Sequence, residues 1–219
     1  MNRFIQSAEL LDQARTNIPI AVVGAGGIGS WLGLFLTKMG FSSIDFYDGD
    51  SVEVHNADNQ LYGEAYVGLK KVEALKRACL SFGSPRPIKA SATMLESLNV
   101  TPATTAIYVV AVDNITVRKQ LWDSVKMRGR GHWIDPRMGG DGWSLYTVNM
   151  ADFRDQQWYE KTLHTAEQSA ELPCGQRGLI CIPAMLAAVT ADQIRKITMT
   201  LPYEPRLSYS SIQNELIKV

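Results

Sequence analysis

Gly24-Ala-Gly-Gly-Ile-Gly29 places Gly24, Gly26, Gly27 and Gly29 within six residues. That density of glycine lets a backbone turn sharply and approach a phosphate, because no Cβ holds the ligand away. Asp48 follows 19 residues after Gly29, with Asp50 beside it, and a carboxylate there can accept from a ribose hydroxyl. Asn56, Gln60 and Lys71 come next: two amides that can donate, and a cation that can neutralise phosphate oxygens as charge develops on them. Asp113 closes the series as a further carboxylate, able to hold Mg²⁺ against those oxygens. A dinucleotide alone asks for the glycines and one acid. The additional lysine and carboxylate fit ATP with a metal ion.

These groups need a scaffold that brings them to one edge. Ile18–Val23 is an apolar run that reads as a buried strand, and Ile28, Trp31, Leu32, Phe35 and Met39 follow at helical spacing. Ser43–Tyr47 reads as the next strand. Strand, glycine loop, helix, strand and acid form the nucleotide-binding unit of a Rossmann-like sheet, whose helix start offers unpaired N–H groups and a positive dipole end. The plainer alternative is a tight turn with close helix–strand packing and no ligand.

Further along, residues 7–15 can form a short helix. Glu64–Leu80 reads as a helix with Val67, Val72, Leu75 and Cys79 inward and Lys70, Lys71, Lys76 and Arg77 outward. Pro85–Ala92 is a weak strand or a loop, and Ala106–Asp113 is a strong buried strand ending in an acid. Ile115–Met127 is predicted helical, and His132–Asp135 and Trp143–Val148 are predicted strands around the glycine-rich turn Gly139–Gly142. Residues 151–178 carry no clean period and read as a polar crossover, and Ile180–Thr198 reads as an apolar helix with Pro183 in its first turn. Leu201–Val219 shows no decisive pattern. The expected fold class is α/β, a mainly parallel Rossmann-like sheet flanked by helices in a single domain. That domain spans 1–219, with a nucleotide-binding core over 17–120.

Composition narrows the function classes. The chain has 219 residues, 46% hydrophobic and 20% charged, enough for a full core in an ordinary water-exposed domain. Its formal net charge of zero advertises neither nucleic acid nor an anionic membrane as a partner. The first residues have early charges and no long apolar core, unlike a signal peptide, and no apolar stretch is long enough for a membrane span. Three cysteines, Cys79, Cys174 and Cys181, form no CxxC pair, which argues against a disulfide framework and a structural zinc site. A cytoplasmic location is expected.

The ordered series carries a resemblance. Gly24-x-Gly-x-x-Gly29, Asp48-Gly-Asp-Ser-Val-Glu53, Asn56-x-x-x-Gln60, Gly68-x-x-Lys71 and Asp113-Asn-x-x-x-Arg118 together resemble the ThiF/MoeB/HesA family, which includes the adenylating domains of ubiquitin-activating enzymes. The likeness runs to about residue 120 and resumes at Cys174-Gly-Gln-Arg-Gly178. It implies ATP and Mg²⁺ as cofactors, no zinc in the absence of the family's usual CxxC pairs, and a homodimer. It also implies adenylation of the C-terminal carboxylate of a small ubiquitin-like or sulfur-carrier protein, with nucleic acid and membrane left out. By position, Asp48 would bind the ribose, Asn56 and Lys71 the phosphates and Asp113 the metal. One departure is Asn59, where the family usually has an arginine. Arg3 of a partner subunit, Arg137 or Arg177 could supply the missing guanidinium.

Plainer readings stand beside these. Lys71 could be one solvated lysine on a basic face, and Asp113 could cap the next helix. Cys174, in a loop near Arg177, is a candidate acyl acceptor or a structural thiol, whereas Cys79 and Cys181 are expected in the core. His55, His132 and His164 receive no role. Asp135-Pro-Arg137 is either a substrate contact or a structural ion pair. Two rival functions remain: an NAD-dependent oxidoreductase, and a catalytically weak nucleotide-binding scaffold for which Asn59 speaks.

Overall fold

A computed structural model describes residues 4–83, 88–95, 101–139, 142–163 and 179–218. Its centre is an eight-stranded sheet of order β3-β2-β1-β4-β5-β6-β7-β8. The strands are β1 (Ile20–Val23), β2 (Ile44–Tyr47), β3 (Lys89–Ser91), β4 (Ile107–Val110), β5 (His132–Gly139), β6 (Gly142–Asn149), β7 (Arg206–Ser210) and β8 (Glu215–Lys218). β3, β2, β1, β4 and β5 run parallel, and β5 through β8 continue as an antiparallel meander. The helices are α1 (Gly27–Met39), α2 (Lys71–Ser81), α3 (Ile115–Val125), α4 (Phe153–Glu160) and α5 (Cys181–Thr198).

Both faces of the parallel strands are covered, which is why β1 and β4 are apolar at every position instead of alternating. Side-chain period two sends Ile20 and Val22 to a cluster with Leu32, Leu36, Leu75, Leu186 and Ile194, under α1, α2 and α5. Ala21 and Val23 go to the other face, with Tyr108, Trp122, Trp133 and Tyr159 under α3 and α4. α1 approaches α2 so closely that a Cβ on Gly33 would lie 2.9 Å from Leu75 Cδ1. The chain leaves α1 through Gly40, whose φ of 97° suits glycine and returns its N–H to the helix end. The expected class, a mainly parallel α/β sheet in one domain, is the class observed. Among the described residues no helix is long and apolar enough to cross a membrane.

Several local expectations are corrected. Residues 7–15 do not form a continuous helix; short 3-10 turns occupy Ile5–Ser7 and Gln13–Arg15. The helix expected from Glu64 begins only at Lys71, because Gly68 adopts φ 88° and breaks the run after a 3-10 turn at Glu64–Tyr66. Val67 therefore lies 41% exposed instead of inward. The crossover region contains α4, initiated by the Asp152 side chain accepting from the Arg154 N–H; a helix of eight residues is too short to declare a period. The undecided tail supplies β7 and β8. Cys79 is in the core, but Cys181 opens α5 with its side chain exposed.

Candidate nucleotide site at the strand ends

The glycine loop joins β1 to α1 at the carboxyl edge of the parallel strands. Gly24 has φ 99°, and a Cβ there would lie 2.4 Å from the Ala111 carbonyl oxygen, so the turn after β4 is packed against it. A Cβ on Gly29 would lie 1.9 Å from the Gly24 carbonyl oxygen, which fixes the close return of α1 over the loop. Gly26 differs: a Cβ there meets nothing within 4 Å. It faces open space and serves as the N-cap of α1, with no side chain capping the helix. The first helical bond runs from the Ser30 N–H to the Gly26 carbonyl, which leaves the amides of Gly27, Ile28 and Gly29 as the free helix start. An anion fits that space.

Asp48 is 8% exposed and braces the loop. Its two carboxylate oxygens accept from the Ala25 N–H at 2.7 Å and the Asp50 N–H at 2.8 Å. Each oxygen keeps a lone pair for a hydroxyl donor. Tyr62, which sequence reasoning passed over, donates its buried hydroxyl to the Ala25 carbonyl. Burial first, and the Asp48 charge second, push its phenol well above its ordinary value, so Tyr62 is a fixed donor. Only its place two residues after Gln60 could have drawn notice.

Lys71 is the first residue of α2 and Lys70 its N-cap. Two cations at the positive end of a helix dipole are unfavourable unless anions answer them. Lys71 Nζ reaches Asp50 Oδ2 at 2.8 Å with its side chain only 12% exposed, and its N–H donates to the Asp50 carbonyl at 3.0 Å. Lys70 Nζ donates to the Gly49 carbonyl at 2.7 Å. The outward placement is thus corrected for Lys71 alone; Lys70 is exposed as expected, and both amines lie along the Asp48–Asp50 loop. A pairing between Ser51 and Lys70 holds this loop to the start of α2.

Asn56 and Gln60 are both buried. Asn56 Oδ1 accepts from the Glu53 N–H at 2.9 Å, which leaves its NH₂ as the group able to meet a phosphate. Gln60 Oε1 is buried without a hydrogen-bond partner among the described residues, an acceptor awaiting a donor. Asn59 carries no guanidinium, and its carbonyl accepts from Trp31 Nε1 at 3.2 Å.

Asp113 follows β4 with an exposed side chain. Asn114 caps α3, accepting from the Thr116 and Val117 N–H groups at 2.8 and 3.1 Å. Asp113 therefore does not serve as the helix cap. It offers Mg²⁺ a single hard oxygen ligand, which suits an ion that takes its remaining ligands from water and phosphates. The start of α5 and the end of β5 also reach the loop, with Pro183 Cβ and Met138 Cε at 3.4 and 3.6 Å from a Cβ built on Gly27.

Asp135-Pro-Arg137 is an internal ion-pair system. Asp135 is fully buried, with Arg118 Nε at 2.9 Å and Arg137 Nη2 at 2.7 Å. Tyr159 donates to it at 2.8 Å. Arg137 is also bound to Thr162 and is not placed as the missing site guanidinium. His132 meets Tyr203 edge-on, and burial lowers its pKa. Arg3, Cys174, Arg177 and His164 lie outside the described residues.

A parallel sheet with a glycine loop, a loop acid and a second strand-end acid defines a nucleotide-binding α/β protein. Residues 3–208 match the ThiF family, and the chain belongs to it. It is 36% identical over 107 residues to adenylyltransferase and sulfurtransferase MOCS3-1 of Zea mays, covering 48% of this chain and 23% of that protein. It is 40% identical over 57 residues to ubiquitin-like modifier-activating enzyme 5 of Caenorhabditis elegans, covering 26% of this chain and 14% of that one. The chain thus spans less than a quarter of either relative. Among solved structures, E. coli MccB with MccA-N7isoASN superposes with a TM-score of 0.80 at 18% identity, over 100% of this chain and 72% of MccB. PaaA gives 0.73 at 18% identity, over 100% of this chain and 80% of PaaA.

Proposed function

We propose that the chain is an adenylyltransferase that uses ATP to activate the C-terminal carboxylate of a small ubiquitin-like or sulfur-carrier protein. The observation that carries the reading is the convergence of the open Gly26 cradle, Asp48, the Lys70–Lys71 helix start and the Asp113 turn at one sheet edge. The relatives' names, an adenylyltransferase and a modifier-activating enzyme, support it.

In this reading the α1 amides receive the triphosphate and Asp48 accepts from the ribose. Lys71 leaves Asp50 for a phosphate, a short exchange because Asp50 is 54% exposed and readily solvated. Asn56 donates from its NH₂, and Gln60 Oε1 gains the donor it lacks. Mg²⁺ held by Asp113 would neutralise phosphate charge. The substrate carboxylate oxygen then attacks the α-phosphorus, the bond to the β-phosphate oxygen breaks, and pyrophosphate leaves with the electron pair. Two anions meet in that step, so Lys71 and the amide donors act where repulsion is greatest. The homodimer, with Arg3 supplied by the partner subunit in place of a guanidinium at Asn59, belongs to the same proposal, and Cys174 stays either an acyl acceptor or a structural thiol. A cytoplasmic location fits it.

ATP–pyrophosphate exchange with small proteins ending in Gly-Gly tests the reading, alongside calorimetry with ATP·Mg and NAD. ATP-dependent exchange is expected. Tight NAD binding with no response to ATP overturns it in favour of an oxidoreductase, and ATP binding with no exchange favours the scaffold. Mixing inactive Arg3→Ala and Lys71→Ala subunits should restore activity if Arg3 acts across a dimer.

A further inference from the structure

Beyond Val110 the β4 backbone leaves the sheet, since its pairing with β1 ends at Val110 and with β5 at Val109. The carbonyls that follow need donors from elsewhere. Val112, the residue before Asp113, finds one in Arg118: the guanidinium Nη2 donates back to the Val112 carbonyl. Arg118 is 5% exposed, and its Nε lies 2.9 Å from Asp135 Oδ1, an ion contact not aligned as a hydrogen bond. Asp135 cannot move to follow it. Arg137 Nε and the Tyr159 hydroxyl both hold Asp135 Oδ2 at 2.8 Å, and Arg137 reaches on to the Thr162 carbonyl at 2.9 Å and hydroxyl at 3.0 Å. The turn is fixed at its other points by the Ala111 N–H on the Val23 carbonyl and by the Asn114 cap. A buried ion pair is a poor stabiliser compared with apolar side chains of the same volume, so its presence here calls for a directional role.

We propose that Arg118, clamped by Asp135, is a positioning residue that sets the orientation of the Asp113 turn for metal-assisted nucleotide binding. This rests on reading the strand-end site as an ATP·Mg site. Arg118 touches neither nucleotide nor metal. It acts through the Val112 carbonyl, and Arg137 with Tyr159 keeps its carboxylate partner in place. An arginine is needed because one planar fork serves the carbonyl and the carboxylate together, which the single point of a lysine ammonium cannot do.

The test is a Mg²⁺ titration of ATP binding, followed by calorimetry, on the full chain and on Arg118→Lys and Arg118→Met. Arg118→Lys keeps the buried charge, so it folds even if Arg118→Met does not; circular dichroism confirms this. The expected result is a rise of about tenfold in half-saturating Mg²⁺ for Arg118→Lys, the size seen when outer partners of metal ligands are removed. ATP affinity with the metal chelated should stay at the wild-type value, because the glycine loop, Asp48 and Lys71 are untouched. A folded Arg118→Lys protein with the wild-type Mg²⁺ midpoint overturns the positioning role. So does an equal loss of ATP binding with and without metal, the sign of a purely structural arginine. A wild-type protein whose ATP binding ignores Mg²⁺ instead overturns the underlying reading of the site.

Discussion

At the centre of the parallel half, β1 and β4 carry no charge and the charged groups stand at the rim. Asp48, Asp50, Lys70, Lys71 and Asp113 all stand in loops or helix starts beyond strand ends, and Asp50 is 54% exposed. β1 and β4 beneath them are wholly apolar, and the outer strands β2 and β3 carry one partly exposed pair, Asp45 with Lys89 at 3.6 Å. In the antiparallel half the arrangement inverts. Asp135 lies in the middle of β5 with no exposure, and Arg118 and Arg137 close on it from two sides. Four aromatic rings, Trp122, Trp133, Tyr146 and Tyr159, pack around that system. In the proposed reading, one half presents charge to a ligand that must come and go. The other uses charge as an internal strut, and pays in desolvation. Rim charges should therefore be removable with little effect on folding and a large effect on binding, whereas removing the buried carboxylate at the centre of the strut should cost stability first.

The largest stability effect is expected from Asp135→Asn. It leaves two guanidiniums, Arg118 and Arg137, facing a neutral amide in a dry site, and breaking such a buried pair costs about 3–5 kcal/mol. Urea denaturation measures it. A loss under about 1 kcal/mol would show that water reaches the network, and the contrast between the halves would collapse.

Gly29→Ala comes next. Its Cβ would meet the Gly24 carbonyl oxygen at 1.9 Å, backbone against backbone, and neither side can yield without moving the loop. Overpacking of this kind costs about 1–3 kcal/mol, and nucleotide binding should go with it. Gly26→Ala sharpens the point. With nothing within 4 Å of the new methyl, stability should change by less than about 1 kcal/mol, yet ATP binding should fall because the methyl occupies the cradle. Unchanged ATP affinity in calorimetry of Gly26→Ala would move the phosphates elsewhere.

Legibility in the sequence follows the same division. Glycines, acids and lysine at the rim were readable because a ligand's chemistry dictates both residue type and spacing. Their supports were less so: Tyr62 bracing Ala25 has no fixed spacing to betray it, and Arg118, although part of the Asp113-Asn-x-x-x-Arg118 series, received no role because its contact with Val112 is made by the fold. β1, β4 and α5 were legible because long apolar runs have few alternatives. α4 was missed because eight residues with a single buried side chain give no stripe. β7 and β8 were missed because β8 is exposed along its length and shows no alternation. Val67 failed for a local reason, the positive φ of Gly68 that ends one turn before α2 begins.

A smaller stability effect is expected from Lys71→Met. The ammonium sits at the positive end of α2, where a cation is unfavourable by about 0.3–1 kcal/mol, so losing both it and its contact with Asp50 should leave the melting temperature nearly unchanged. Pyrophosphate exchange should nevertheless fall by about 10²–10³, the usual loss when one preorganised charge partner of a transition state is removed. A clear drop in melting temperature would make Lys71 a strut after all.

The smallest effect separates the two described cysteines. Cys79 lies on α2 inside the core, where burial pushes its thiol up to about 11, opposed by a hydrogen bond with Thr37. Cys181 opens α5 and is exposed. In a Cys174→Ala background, a thiol reagent at pH 8 should label Cys181 in the native protein and reach Cys79 only after denaturant is added. The pH dependence has a definite sign. Below about 8.5, where an unfolded cysteine begins to ionise, both states keep the proton and the contribution to stability is constant. As pH rises from there towards the folded value, the unfolded chain alone loses its proton, and stability falls. Cys79→Ala should remove that part of the alkaline loss, leaving a shallower decline between pH 8 and 10 set by groups such as Tyr62, whose phenol is raised in the same direction. An equally steep decline in the variant, or labelling of native Cys79, would place its thiol in contact with water and open the α2 face of the nucleotide half.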